Sequence, residues 1–249
     1  MASDPSPAGS EVSWSDIADW YDALVRSGRS PHELAVATTL ALAGDVAGLR
    51  VLDVGCGQGA ATRALAAAGG EVTGADVTPE LLAVARRHEA AQPLGVGYLD
   101  SDAQDLAELP DAAFDLVTCQ LALMDIPDLD ATLAAVRRVL RPAGSFVAVL
   151  SHPCFLAPFA ETVDGHDGLP GRLVTRYLDE EFWRSPNPEG VRRAGAHHRT
   201  LSTYLNAFVR HGFAMERALE PPAVGKHARE QPVYVRVPIF FAVRLRLMP

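Results

Sequence analysis

Apolar positions in this chain alternate between short continuous runs and stripes at helical spacing, as expected for strands buried on both faces between amphipathic helices. Two helices precede the first strand. Ser15–Val25 sets Ile17, Tyr21, Leu24 and Val25 on one stripe. A second helix opens at Ser30-Pro31-His32-Glu33, with a cap, a proline at the first helical position and an acid three residues after the cap, and runs to Gly44. Alternation then begins: strand Val51–Val54, helix Ala60–Ala68, strand Glu71–Val77, a helix capped by Thr78-Pro79, strands Val96–Leu99 and Phe114–Cys119. A helix carrying Leu129, Leu133, Val136 and Leu140 follows, ended by Arg141-Pro142-Ala143-Gly144, and then strand Ser145–Leu150.

The rhythm breaks over residues 151–197, which mix Pro, Gly, His and aromatics without clean period. So long a segment reads as a cap over a site, residues 151–200, with a short helix around Asp179–Arg184. Leu201, Tyr204, Leu205, Phe208 and Val209 restore a helix, stopped at Gly212. Strands Phe213–Leu219 and Val233–Leu247 close the chain, the latter carrying Val235, Val237, Ile239, Phe241, Val243 and Leu245 at period two. The pattern is a doubly wound α/β sheet, mostly parallel, with an antiparallel edge.

Composition narrows the class. The chain has 249 residues, 48% hydrophobic, and a net charge of −9. No apolar run approaches the about 18–20 residues of a membrane span. Residues 1–13 are rich in Ser, Pro, Gly and Ala, lack the basic-then-apolar order of a signal peptide, and read as a disordered tail ahead of one domain over 14–249. Three cysteines without a C-x-x-C indicate a reducing, cytoplasmic setting and no metal site. Lys226 is the single lysine, and basic residues do not cluster, so neither nucleic acid nor membrane is the expected partner. A small molecule is.

The chemistry starts at Val51-Leu52-Asp53-Val54-Gly55-Cys56-Gly57-Gln58-Gly59, a strand breaking into glycines at alternate positions. Dinucleotide sites use G-x-G-x-x-G and seat a pyrophosphate on a helix N-terminus. Here the spacing is G-x-G-x-G, and Asp53 precedes it. A carboxylate there repels phosphate and suits a ligand with an ammonium and a sulfonium, which points to S-adenosylmethionine.

Over residues 46–150 the chain resembles class I S-adenosylmethionine-dependent methyltransferases of the small-molecule type. The resemblance rests on that glycine run, Asp76, Asp102-Ala103, Phe114-Asp115-Leu116-Val117 and Leu140-Arg141-Pro142-Ala143-Gly144, in the family's order. It implies a seven-stranded sheet ordered 3-2-1-4-5-7-6 with strand 7 antiparallel. It also implies a cofactor site of Tyr21, Asp53, Gly55, Cys56, Gly57, Gly59, Asp76, Val77, Asp102, Ala103 and Gln120. Asp76 would take the ribose hydroxyls, Asp102 and the Ala103 amide the adenine, and Gln120 the methionine moiety. Asp53 would favour the ammonium or hold the glycine-loop amides. The N-terminal helical segment 14–45, with Tyr21, would close over the cofactor as a lid.

Methyl transfer would be an in-line displacement releasing S-adenosylhomocysteine. His152, at the end of the fifth sheet strand, and His198, at a helix start, are the candidate bases. Phe155, Trp183, His197 and Tyr204 are candidate substrate contacts. Cys119-Gln120-Leu121-Ala122 replaces the Asn/Asp-Pro-Pro-aromatic run of many enzymes acting on base or protein amides, which favours a metabolite of secondary metabolism. Cofactor cyclisation, pericyclic or decarboxylating chemistry, and a non-catalytic binding subunit are the other readings, with a monomer or homodimer expected.

Overall fold

The computed structural model describes residues 12–28 and 30–249. Helix α1 (Trp14–Arg26) begins with a reciprocal cap: Ser13 Oγ accepts the Asp16 amide while the Asp16 carboxylate accepts the Ser13 amide. The expected tail therefore ends in a helix cap, and its residues 1–11 lie outside the described residues. Ser13→Ala is expected to destabilise α1 by about 1 kcal/mol, measured as faster amide exchange over 14–26 with the sheet unchanged. Helix α2 (His32–Ala43) starts later than the capping pattern suggests. Pro31 occupies the cap position, and the Ser30 hydroxyl bonds the His32 ring instead. It stops at Gly44, as expected.

The alternating section follows as β1 (Arg50–Val54), α3 (Ala60–Ala67), β2 (Glu71–Asp76), α4 (Pro79–Ala91), β3 (Gly97–Asp100), β4 (Phe114–Gln120), α5 (Leu129–Val139) and β5 (Leu140–Ser151). Arg141–Gly144 is the irregular beginning of β5, not a coil after the helix. The register slips opposite Phe114 and Leu116, and Arg141 pairs with Asp115 across it.

Residues 151–200 form two small antiparallel pairs, β6 (Ala160–Asp164) with β7 (Pro170–Val174) and β8 (Phe182–Trp183) with β9 (Ala196–His197). The short helix expected at Asp179–Arg184 is absent. The carbonyl of Glu181 accepts the His198 amide, and the Glu180 carboxylate caps the next helix through the Thr200 amide, so local groups are satisfied by distant chain. After α6 (Leu201–Arg210), β10 (Phe213–Leu219) and α7 (Gly225–Glu230), the chain ends in β11 (Phe240–Leu247). The last strand is shorter than its alternation predicts. Pro232 and Pro238 cannot donate to a ladder, and 232–235 curls into a 3-10 turn.

The main sheet runs β10-β11-β5-β4-β1-β2-β3, with β11 antiparallel to both neighbours. This is the expected arrangement; the last two strands carry higher numbers because the four cap strands intervene. Alternation splits β5 between the faces. Phe146, Ala148 and Leu150 meet Leu133 and Val136 of α5 and Phe208 of α6, while Val147 and Val149 meet Leu42 of α2 and Leu65 of α3. Among the described residues no helix is long and apolar enough to cross a membrane. Strand order reverses between β1 and β4, so their carboxyl ends open a crevice where such sheets bind ligands.

Candidate functional site

The turn after β1 is built by backbone geometry. Gly55, Gly57 and Gly59 have φ of 66°, 54° and 87°, in the left-handed region that side chains disfavour. The Gly55 and Cys56 amides both donate to the Ala75 carbonyl, at 2.8 and 3.0 Å, stitching the loop to β2. At Gly57 a Cβ would find open cavity, its nearest neighbour being Leu81 Cδ1 at 4.0 Å. Gly59 serves differently. It is the N-cap of α3, does not line the cavity, and gives up its Cβ to the Tyr98 hydroxyl, 2.5 Å from where that atom would sit.

A cavity of about 190 Å³ lies over this turn. Its walls include Tyr21, Asp53, Gly55, Cys56, Gly57, Asp76, Val77, Asp102, Ala103 and Gln120, so the crevice gathers every expected cofactor residue but Gly59. Asp76, at the end of β2, is 9% exposed. Its Oδ2 accepts the Gly57 amide and its Oδ1 the Thr78 amide, each at 2.8 Å. Each oxygen retains acceptor capacity, and burial raises the carboxyl above its usual range.

Asp53 does not bond the glycine-loop amides. Its oxygens accept the hydroxyls of Thr62 on α3 and Thr118 on β4, both at 2.7 Å, and the loop amides bind Ala75 and Asp76 instead. Burial pushes its carboxyl up to about 6, against those two bonds. The Asp102 carboxylate is met by the Gln104 amide and side chain, and Gln120 Oε1 accepts the Thr39 hydroxyl. Burial also raises the Cys56 thiol well above its normal value, so it is neutral and no nucleophile.

The helix pair before the sheet forms one rim. The Tyr21 hydroxyl lies 2.5 Å from His32 Nε2, and Ser30 Oγ lies 2.9 Å from Nδ1. With Nδ1 protonated toward Ser30, Nε2 accepts the tyrosine proton. Burial and the charge of Arg192 lower His32 to about 4, so the ring is neutral. His88 on α4 anchors α1 through Asp22, at 2.9 Å. His32 sits where the sequence suggested only a helix start. Asp125, after β4, was likewise not anticipated; it lines the same cavity and pairs with Arg192 of the cap. Burial raises its carboxyl to about 6 even so.

The histidines expected as bases lie elsewhere. His152 is 2% exposed, with Nε2 on Glu220 at 2.7 Å and Nδ1 accepting the Cys154 amide. Both ring nitrogens are engaged. His198 Nε2 donates to the Tyr177 carbonyl at 2.8 Å. These two, with His197 and Tyr204, line a separate cleft of about 30 Å³. Phe155 lines neither cavity and packs against the His152 ring at a 39° tilt, centroids 4.6 Å apart. Among the expected substrate contacts only Trp183 reaches a large space. That space is a second cavity of about 530 Å³ between the N-terminal helices and the cap, sharing Trp14, Tyr21, His32 and Leu121 with the first. Leu121 has φ of 57°, a strained value for a branched residue, at the wall between the two.

Comparison with known proteins gives a methyltransferase domain matching residues 52–148. A crystal structure of an S-adenosylmethionine-dependent methyltransferase from Mesorhizobium loti superposes with a TM-score of 0.70 at 30% identity, covering 88% of this chain and 99% of that one. A ubiquinone biosynthesis O-methyltransferase from Xanthomonas oryzae pv. oryzae is 40% identical over 133 residues, 53% of this chain and 54% of the relative. The chain thus spans about half the length of the curated relatives it matches. The [4+2]-cyclase SpnF superposes with a TM-score of 0.63 at 17% identity, covering 95% and 96% of the two chains, which is a likeness of fold alone.

Proposed function

The chain belongs to the S-adenosylmethionine-dependent methyltransferases, and from that premise we propose that it methylates a small-molecule acceptor, releasing S-adenosylhomocysteine. The observation that carries this is the pairing of a glycine-floored cavity with a second, larger cavity across a shared rim. A donor site and an acceptor site in contact are what a bimolecular displacement requires.

The residues present fit this cofactor. The space left by the absent Gly57 side chain admits close approach to the backbone. Asp76 has acceptor capacity left on both oxygens for the two ribose hydroxyls. The carboxylates of Asp53 and Asp76, neither in an ion pair, make the cavity floor anionic, which suits a ligand with two cationic centres and opposes pyrophosphate. Asp102, Ala103 and Gln120 line the cavity too; Asp102 and the Ala103 amide would take the adenine, and Gln120 the methionine moiety.

Bound there, the cofactor supplies an activated methyl group on a sulfonium. The protein must orient the acceptor, exclude water and accept a proton. Tyr21, backed by neutral His32, lies at the shared rim and is the group proposed to take it. The acceptor proton moves to the Tyr21 oxygen as the tyrosine proton moves to His32 Nε2. His152 and His198, with their rings committed in the separate cleft, are not assigned this role.

The test is product analysis after incubation with methyl-labelled S-adenosylmethionine and a metabolite extract. S-adenosylhomocysteine equimolar with a labelled low-mass product is expected. Methylthioadenosine, or label in protein or nucleic acid, overturns the proposal.

A further inference from the structure

The charge on the walls of the larger cavity is one-sided. Arg172 and Arg192 line it, and no Asp or Glu does among its described walls. Arg192 is compensated by Asp125, which faces the cofactor cavity. Arg172 is not compensated by any acid among the described residues. Its partners are neutral: Nε donates to the Phe155 carbonyl at 3.1 Å, Nη2 to the Ala160 carbonyl at 2.8 Å and Nη1 to the Thr162 hydroxyl at 3.1 Å. Its guanidinium carbon lies 5.8 Å from the centre of the Tyr234 ring.

Those contacts fix the guanidinium without neutralising it. Three bonds to the cap hold the side chain in one place, so binding an anion there costs little further side-chain ordering. The remaining N–H donors and the full positive charge are left for an anion. The rest of the cavity is apolar where Leu156, Trp183, Ile239 and Phe240 line it, and the Tyr21–His32 pair lies at the rim shared with the cofactor cavity, which Arg172 does not line. A half-buried guanidinium with no acid beside it, set in an apolar wall, is the arrangement of a carboxylate receptor.

We propose that the methyl acceptor is an apolar-bodied carboxylic acid whose carboxylate is held by Arg172 while its nucleophilic hydroxyl lies at the Tyr21–His32 rim. This deepens the methyl-transfer reading and rests on it. In the transfer the hydroxyl oxygen forms the new O–CH3 bond, and the S–CH3 bond breaks with its electron pair left on sulfur. The hydroxyl proton goes to Tyr21 and on to His32. With the carboxylate held at Arg172, the product is an ether that keeps its free acid and not an ester.

The experiment is calorimetry on protein saturated with S-adenosylhomocysteine, titrated with matched probes: hydroxycinnamate against hydroxycinnamyl alcohol, and a hydroxynaphthoate against the corresponding hydroxynaphthyl alcohol. At least one acid is expected to bind tenfold or more tightly than its alcohol. Arg172→Met should bring that ratio to within twofold with alcohol and S-adenosylhomocysteine affinities unchanged, and Arg172→Lys should restore part of it. Equal binding of acid and alcohol, no acid binding, or an unchanged ratio in Arg172→Met overturns the proposal. So does loss of the fold in both Arg172 variants together with equal acid and alcohol binding by the wild type. Failure to bind S-adenosylhomocysteine is a different outcome and overturns the methyl-transfer reading itself.

Discussion

Replacing Asp76 with alanine is expected to weaken S-adenosylhomocysteine binding by a hundredfold or more. The substitution removes a buried carboxylate that already orders the site, because it accepts the amides of Gly57 in the turn after β1 and of Thr78 just after β2. Without it two amides lose their acceptor, and the ribose hydroxyls lose the anionic partner proposed for them. A hydrogen bond to a charged group contributes about 1.5–3 kcal/mol, so losing two approaches about 3 kcal/mol or more, equivalent to about a hundredfold in affinity. Asp76→Asn keeps one acceptor oxygen but turns its NH2 toward the Gly57 or Thr78 amide, donor against donor, so it too should lose most of the affinity. Isothermal titration of the three proteins decides it. Affinity of the alanine variant within threefold of wild type would mean that the ribose is held elsewhere.

Asp53→Asn should act in two opposite directions, stabilising the ligand-free protein near pH 7.5 while weakening S-adenosylhomocysteine binding about tenfold. The stabilising half follows from proton linkage. Burial raises the folded carboxyl to about 6, while the unfolded one ionises near 3.8. Below both values the group is protonated in either state. As pH rises between them the unfolded chain ionises first, so stability falls, and the whole loss is present above 6. A shift of this size corresponds to about 2–3 kcal/mol. The asparagine has no charge to bury and can still bond the Thr62 and Thr118 hydroxyls. His32 works with the opposite sign: its folded value of about 4 means that stability is lost as pH falls from 6.5. Because His32 and Asp125 are present in both proteins, the difference between the two melting curves isolates Asp53. Thermal melts from pH 4 to 8 should show the variant's advantage growing between pH 4 and 6 and constant above. A variant less stable at pH 7.5 would show that the threonine bonds outweigh the buried charge.

The binding half of that prediction explains why a costly carboxylate occupies the end of β1. An anionic floor lowers the stability of the empty site and favours a cationic ligand, so cofactor affinity and apo stability are opposed at this position.

Local spacing decided how much of the donor site was legible. The glycine turn, the acid at the end of β2 and the Asp102-Ala103 pair each sit at the carboxyl end of a strand or just after it, and parallel strands in register bring those ends together without help from distant chain. The Gly44 stop is equally local. By contrast, the interval 179–184 looked helical and is held as β8 and its approach by 196–200, and the alternation from Val235 stops being a strand at Pro238.

The expected bases show the same division most sharply. His152 stands at the end of a sheet strand and His198 at a helix start, the positions where bases are sought, yet Glu220, Cys154 and Tyr177 claim their rings. His32 and Asp125 carry no motif. They meet the site because α1 is tied to α4 through His88 and Asp22, and because Arg199 binds the carbonyls of Leu123, Ile126 and Pro127, drawing the cap onto the loop after β4. By itself the chain's order of residues determined the sheet, its crevice and the identity of the methyl donor, since those depend on short-range periodicity and on backbone angles that only glycine adopts readily. Only the tertiary structure decided which side chains line the larger cavity, because that surface joins the N-terminal helices to a cap more than a hundred residues away, and contacts at such separation leave no pattern along the sequence.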